Sequence, residues 1–140
     1  MFDTYFDDWE VKLEFSKEYI SLWSNWLDEE NLHLLDEVSE EDWSRFNSLI
    51  IVIAKTYNIG LVDCDARLVS FPKNIEDTLS NYSISMNKDA SSFSKYIIPD
   101  LECVITEEWD YTYILWHKKN GAVEALNPYI IKSGLKRFAD

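Results

Sequence analysis

Glycine is scarce in this sequence, with three in 140 residues at positions 60, 121 and 134. Loops that cradle phosphate groups need several glycines within a few positions, so that chemistry is excluded. Three prolines add little further punctuation, which implies compact elements and few long loops. The two cysteines, Cys64 and Cys103, form neither a CxxC pair nor any other metal-ligand spacing. In a cytoplasmic protein they read as reduced, buried thiols. The two histidines, His33 and His117, are far apart and belong to no metal motif. No run approaches the ~18 apolar residues of a membrane span. The opening MFDTYFDDW also lacks the basic region of a signal peptide. The expectation is a cytoplasmic protein with no membrane partner.

Positive charge is the other shortage. Thirteen Lys and Arg face 26 Asp and Glu, for a formal charge of −13. The imbalance is local: residues 1–42 hold 14 acids and two lysines, leaving 12 acids against 11 bases in the rest. Such a field repels nucleic acid and anionic membranes and speeds encounter with a basic protein. What the chain does have is apolar: 46% hydrophobic and 15% aromatic residues argue against disorder. A chain of this length makes one domain, residues 1–140, with a real core.

The densest structural signal lies between Leu101 and Asn127. Cys103–Thr106 is β-branched and Tyr111–His117 (YTYILWH) is aromatic, both compositions of strands. Asn120-Gly121 then reads as a type I′ turn, sending residues 122–126 back as a third strand. This register puts Ile114, Trp116, Val123 and Ala125 on the core face. Tyr111, Tyr113, Leu115, His117, Glu124 and Leu126 fall on the other, which burial or a partner must cover. Asn127-Pro128 starts a terminal helix over 128–138, interrupted by Gly134. Upstream, WEVKLEF (9–15) alternates as a strand. Ser16 caps a helix that buries Tyr19, Trp23, Trp26 and Leu27, so those tryptophans read as core and not as a stacking platform. Ser39 followed by Glu40, Glu41 and Asp42 opens a central helix through Trp43, Phe46, Ile50, Ile53 and Tyr57, closed by Gly60. Arg67–Phe71 reads as a strand, 74–82 as a short helix, Tyr82, Ile84 and Met86 as a strand, and Lys88–Ser92 as a turn. The fold expected is α+β: an antiparallel sheet with a C-terminal β-meander packed against N-terminal helices and a C-terminal helix.

No catalytic arrangement stands out. Asp63-Cys64-Asp65 has a DxD spacing, but in so acidic a chain it marks no metal site. Flanking carboxylates would raise the Cys64 pKa and blunt it as a nucleophile. No pair among the 26 acids is singled out for acid–base work. The reading is a non-enzymatic protein with no catalytic residue, cofactor or metal.

Function must then come from the surface. Asp28, Glu29, Glu30, Asp36, Glu37, Glu40, Glu41 and Asp42 are the first candidate contacts with a basic partner. Glu107, Glu108, Trp109 and Asp110 form the second set, an acidic loop tip with a tryptophan anchor. In size, acidity, tryptophan content and the segment Tyr96–Leu126, above all IIPDLECVITEEWDYTYILW, the chain resembles bacterial immunity proteins. These inhibit secreted toxins, including those of contact-dependent inhibition systems. The resemblance implies a protein that blocks a cognate toxin domain, often a nuclease, by occluding its substrate site. Two other classes stay open. An exposed patch along Tyr111, Tyr113 and Leu115 would mark an adaptor or structural subunit. Convergent titratable groups beside an aromatic cleft would mark a ligand-binding or enzymatic domain.

Overall fold

The computed structural model describes residues 1–140. Its elements run α1 (Phe2–Tyr5), β1 (Phe6–Asp7), β2 (Glu10–Val11), β3 (Ser16–Ser21), α2 (Glu40–Ala54), β4 (Gly60–Asp63), β5 (Leu68–Ser70), α3 (Tyr82–Asn87), β6 (Lys95–Ile98), β7 (Cys103–Glu108), β8 (Thr112–His117), α4 (Asn120–Lys132) and β9 (Lys136–Phe138). Short 3₁₀ segments intervene, the longest over Glu29–Glu37. Seven strands form one antiparallel sheet in the order β5-β4-β6-β7-β8-β3-β9, and β1 and β2 make a separate ribbon. The α+β class and the antiparallel sheet hold, with a meander formed by β6, β7 and β8.

The meander is shifted one strand upstream of expectation, because Asn120-Gly121 makes no hairpin turn. It opens α4 instead. Ala122, Val123, Leu126 and Ile130 fall on one helical face and are buried. That 3.6-residue spacing outweighs the local turn preference of Asn-Gly. Pro128 therefore lies inside the helix and does not start it. Its missing donor is tolerated on the exposed side. Gly134, at φ +80°, ends α4 in a Schellman motif: Gly134 N donates to Ile131 O, and Leu135 N to Ile130 O. Leu135 is buried, and the chain leaves as β9 in place of the expected helical end.

The place beside β8 belongs to β3, so Ser16–Ser21 is a strand where a helix was expected. Residues 9–15 are not a strand through their length. Asp8 turns with φ +54°, β2 is only Glu10–Val11, and Leu13 is 98% exposed. The central helix is as expected. Ser39 Oγ accepts from Asp42 N at 3.0 Å, the Asp42 carboxylate faces Ser39 N, and Trp43, Phe46, Leu49, Ile50 and Ile53 are buried. It ends at Ala54, and Gly60 instead begins β4. A Cβ at Gly60 would lie 2.4 Å from Val69 Cγ1, which explains a glycine there. Tyr82–Asn87 is helical where alternation suggested a strand.

The strand register sorts side chains between the two faces of the sheet. Ile20, Tyr113, Leu115, Ile105, Tyr96, Cys103 and Ile98 share one face and the larger core, closed by α2 and α4. The Tyr113 and Leu115 face is thus covered by helices, in line with its burial reading, and no adaptor patch lies along those two residues. Ile114 and Trp116, expected in the core, are half-buried on the other face. The other face carries Lys17, Tyr19, Ser21, Thr106, Glu108, Thr112, Ile114 and Trp116. The N-terminal segment covers only part of it, where Phe2, Tyr5, Phe6, Val11 and Phe15 join Cys64, Ile97 and Val104 in a second core.

Candidate functional site

The uncovered part of the second face is the candidate site. It holds two adjoining concavities of about 300 and 630 Å³ that share Glu108, Trp109 and Ile114 in their walls. Five of the six tryptophans line them, Trp43 being the exception. Trp9, Trp26 and Trp109 are exposed, as are Leu13 and Leu32. A cluster of exposed large apolar side chains on one face is a mark of binding surfaces. Trp23 and Trp26 are therefore not core residues, because the segment carrying them is not a helix and leaves β3 along the rim of this face.

The rings are held by polar contacts. Trp116 Nε1 donates to Thr106 Oγ1 at 2.9 Å, and Trp26 Nε1 donates to Asp140 Oδ1 at 2.5 Å. Tyr19 meets Trp26 edge-on at 4.7 Å and stacks on Phe138 at 5.4 Å. Trp109 meets Phe93 edge-on at 4.7 Å. Burial, then the neighbouring Asp140 carboxylate, then Glu108 push the Tyr19 phenol up. Burial chiefly raises Tyr111, with Tyr82, Asp36 and Asp110 adding to it. Glu108 and Asp110 line the smaller concavity and Asp140 holds Trp26, so carboxylates border these rings.

The expected contact residues are partly brought together and partly separated. Glu107 and Glu108 are consecutive strand residues and point to opposite faces. Glu107 pairs with Lys88 Nζ at 2.6 Å, and its carboxylate also accepts from Ser94 N at 2.8 Å. The Lys88 and Glu107 side chains are 9% and 12% exposed, so Glu107 is largely committed to this internal pair, although it also borders the larger concavity. Glu108, Trp109 and Asp110 do border the site. Trp109 is 60% exposed, so it does not fold back to be buried over the sheet end. The turn it opens carries Asp110 and Tyr111 at positive φ.

Asp28, Glu29, Glu30, Asp36, Glu37, Glu40 and Glu41 are all exposed. Asp28 accepts from Asn31 N at 3.1 Å, and Glu37 lies 3.6 Å from His33. Asp42 is half-buried, caps α2 and pairs with Arg45 at 3.2 Å, so it is structural first. The 3₁₀ segment Glu29–Glu37 buries no side chain fully. Its Leu32 and Leu35 instead line the smaller concavity. Sequence reasoning missed Tyr19, Trp23, Trp26, Trp9 and Trp116 as site residues, and SKEYIS (16–21) carries no apolar–polar alternation that would have marked Tyr19 as a strand residue.

Elsewhere, Cys64 and Cys103 are free and buried. Burial is the main cause that raises the Cys64 thiol, with Asp63 and Asp65 adding to it against Lys95. Asp63 Oδ1 caps its own turn, accepting from Ala66 N at 3.1 Å. No three His, Cys, Asp or Glu side chains converge as a metal-holding group. No helix is long and apolar enough to cross a membrane. The chain matches no protein-family model, no curated protein and no solved structure.

Proposed function

We propose that this chain is a non-enzymatic binding protein that captures a basic protein partner on the open face of its sheet. Its tryptophans are the anchors and its acids the rim. The observation that carries the reading is the gathering of Trp9, Trp26 and Trp109, all exposed, in two adjoining concavities that share Glu108. The smaller of them is also bordered by Asp110 and by Leu32 and Leu35 of the acidic segment. Tryptophans at the centre of an interface supply most of its energy, and surrounding charges set partner and encounter rate. The resemblance to immunity proteins gives the partner its class, a secreted toxin domain whose substrate site this face would occlude.

The test is rescue of growth. Proteins encoded beside this chain are expressed singly and with it, and capture is followed at several salt concentrations. A basic protein that kills cells alone, is silenced by co-expression and escapes the Trp109→Ala variant supports the reading. A toxic partner silenced equally by that variant and by Trp26→Ala would remove this face from the function.

A specific observation favours a second reading, a small-ligand domain. A cavity of about 210 Å³ between α2, α3 and the β7–β8 turn is lined by Trp43, Phe46, Phe93 and Tyr113, beside the Lys88–Glu107 pair. The buried Ser85 hydroxyl at its wall has no hydrogen-bond partner. A buried polar atom left unpaired at the wall of a cavity of mixed polarity is a reason to look for a ligand. A thermal-shift screen of small polar aromatics, repeated on Ser85→Ala, tests it.

A further inference from the structure

Five aromatic rings of this protein each carry a basic side chain over them. Lys17 Nζ stands 5.0 Å over Trp116, Lys95 Nζ 5.5 Å over Trp9, Lys118 Nζ 5.1 Å over Phe15, and Lys88 Nζ 5.9 Å over Phe93. Arg67 lies 5.2 Å over Phe2. The smaller concavity of the open face departs from this pattern. Tyr19, Trp23, Trp26 and Trp109 line it, and none of these rings carries an intramolecular cation. None of its lining residues is basic, while Glu108 and Asp110 both belong to its wall. Lys136, opposite Ser21 on β9, is exposed and outside the lining.

Four aromatic rings and two carboxylates around about 300 Å³ make a cage for an organic cation. Ring quadrupoles attract a cation over their faces, more strongly once water is displaced. The carboxylates supply the counter-charge that lets the cation leave water. The volume suits one side chain and is too small for a folded element.

We infer that this cavity takes a single arginine or lysine side chain of the basic partner, its charged end between Glu108 and the rings of Tyr19, Trp23, Trp26 and Trp109. This rests on the proposed function and sharpens it, since the cavity becomes the point where the partner is anchored.

The test uses the isolated chain and three probes: acetyl-arginine methylamide, acetyl-lysine methylamide and the neutral acetyl-citrulline methylamide. Indole N–H resonances are followed by two-dimensional NMR. The cationic probes should bind saturably, at about millimolar strength. They should shift the Trp23, Trp26 and Trp109 signals and leave that of Trp43 in place. The citrulline probe should bind at least about tenfold more weakly, and Glu108→Gln should weaken the cationic probes by a similar factor. Glu108→Gln keeps side-chain size at a half-buried strand end, and an unchanged thermal melt verifies its fold. Equal binding of citrulline, or no saturable shift of these three signals, overturns the inference. That result leaves the rescue experiment standing, because rescue reads the whole face. If the probes bind and rescue fails, the cation cage survives and the toxin reading falls.

Discussion

The two faces of the sheet divide the aromatic residues by how they are used. Under α2 and α4, Phe46 and Tyr113 pack at 4.7 Å, and the surrounding strand rows are sealed by Ile, Leu and Cys. On the other face the N-terminal segment seals one half around Val104 and Ile97, and the other half is left as tryptophan, threonine, lysine and glutamate. A ring with a polar edge can be half wet at little cost, and Trp116 and Trp26 each place their N–H on a protein oxygen. One face of the sheet is thus closed by helices, and the other is closed over one half and open over the rest. The residues that hold the molecule together are largely distinct from the exposed tryptophans of the open face.

Truncation gives the largest contrast. Leu115→Ala, at a fully buried position of the helix-covered face, should cost about 2–5 kcal/mol in urea unfolding. Trp109→Ala, on the open face, should cost under about 1 kcal/mol, yet it should abolish partner capture. Similar losses for the two would mean that the open face is part of the core. The neighbouring acids give the next contrast. Glu107→Ala strands Lys88 in a nearly closed site and should cost about 3–5 kcal/mol, where Glu108→Ala should fall within about 1 kcal/mol. A Glu107→Ala variant as stable as the parent would show that pair to be solvated.

The sealed face also sets the alkaline limit of stability. Burial pushes Cys103 up to about 12 from 9.0, and Tyr96 to about 12 from 10.0. Tyr113 is raised well above 10.0 by the same cause, with Tyr96 and Glu107 adding to it. The unfolded chain therefore loses these protons at lower pH than the folded one. Their contribution is complete below about pH 9 and is lost as pH rises toward 12, by about 1.4 kcal/mol per pH unit for each group. Urea midpoints should be flat to pH 9 and then fall, and Cys103→Val should soften the first part of the fall. A midpoint unchanged to pH 11 would mean that the sealed face admits water. The two thiols report on the two covers separately. Cys64 sits under the N-terminal segment and Cys103 under the helices. A disulfide reagent should label Cys64 through local opening and Cys103 only with global unfolding, so Cys64 should react faster by at least about tenfold.

What could be read from the sequence follows the reach of each interaction. The helix at Glu40–Ala54 was legible because its capping box and apolar stripe are local. The strands at Cys103–Glu108 and Thr112–His117 were legible because their composition is unambiguous. Ser16–Ser21 was not, since Ser16 mimics a cap and Tyr19, Trp23 and Trp26 mimic helical spacing. Only the distant β8 and β9 make that segment a strand. Asn120-Gly121 misled for the same reason: the place beside β8 was already filled by β3, so the chain after it was free to coil over the core. The candidate site inherited both errors. Glu108, Trp109 and Asp110 were found as a polar turn, and the aromatic wall they face was assigned to the interior.

The smallest expected effect on stability separates steering from anchoring. Glu40 and Glu41 are exposed in the first turn of α2, where each carboxylate favours the helix by about 0.3–1 kcal/mol. Asp42 differs, because it closes the capping box and holds Arg45. Neutralising all three at once would confound folding with binding, so the informative variant is Glu40→Gln with Glu41→Gln. Neither residue lines the cation cage, so this variant should slow association with a basic partner, weaken its salt dependence and leave dissociation unchanged. Glu108→Gln should do the reverse, speeding dissociation with little change in the association rate. Stopped-flow association at two ionic strengths and surface-bound dissociation measure both. If the Glu40 and Glu41 pair alters only dissociation, the acidic segment touches the partner and the anchor extends beyond the cage. If it alters neither rate, this end of the acidic segment serves α2 alone, and the steering field comes from the acids around the rim itself.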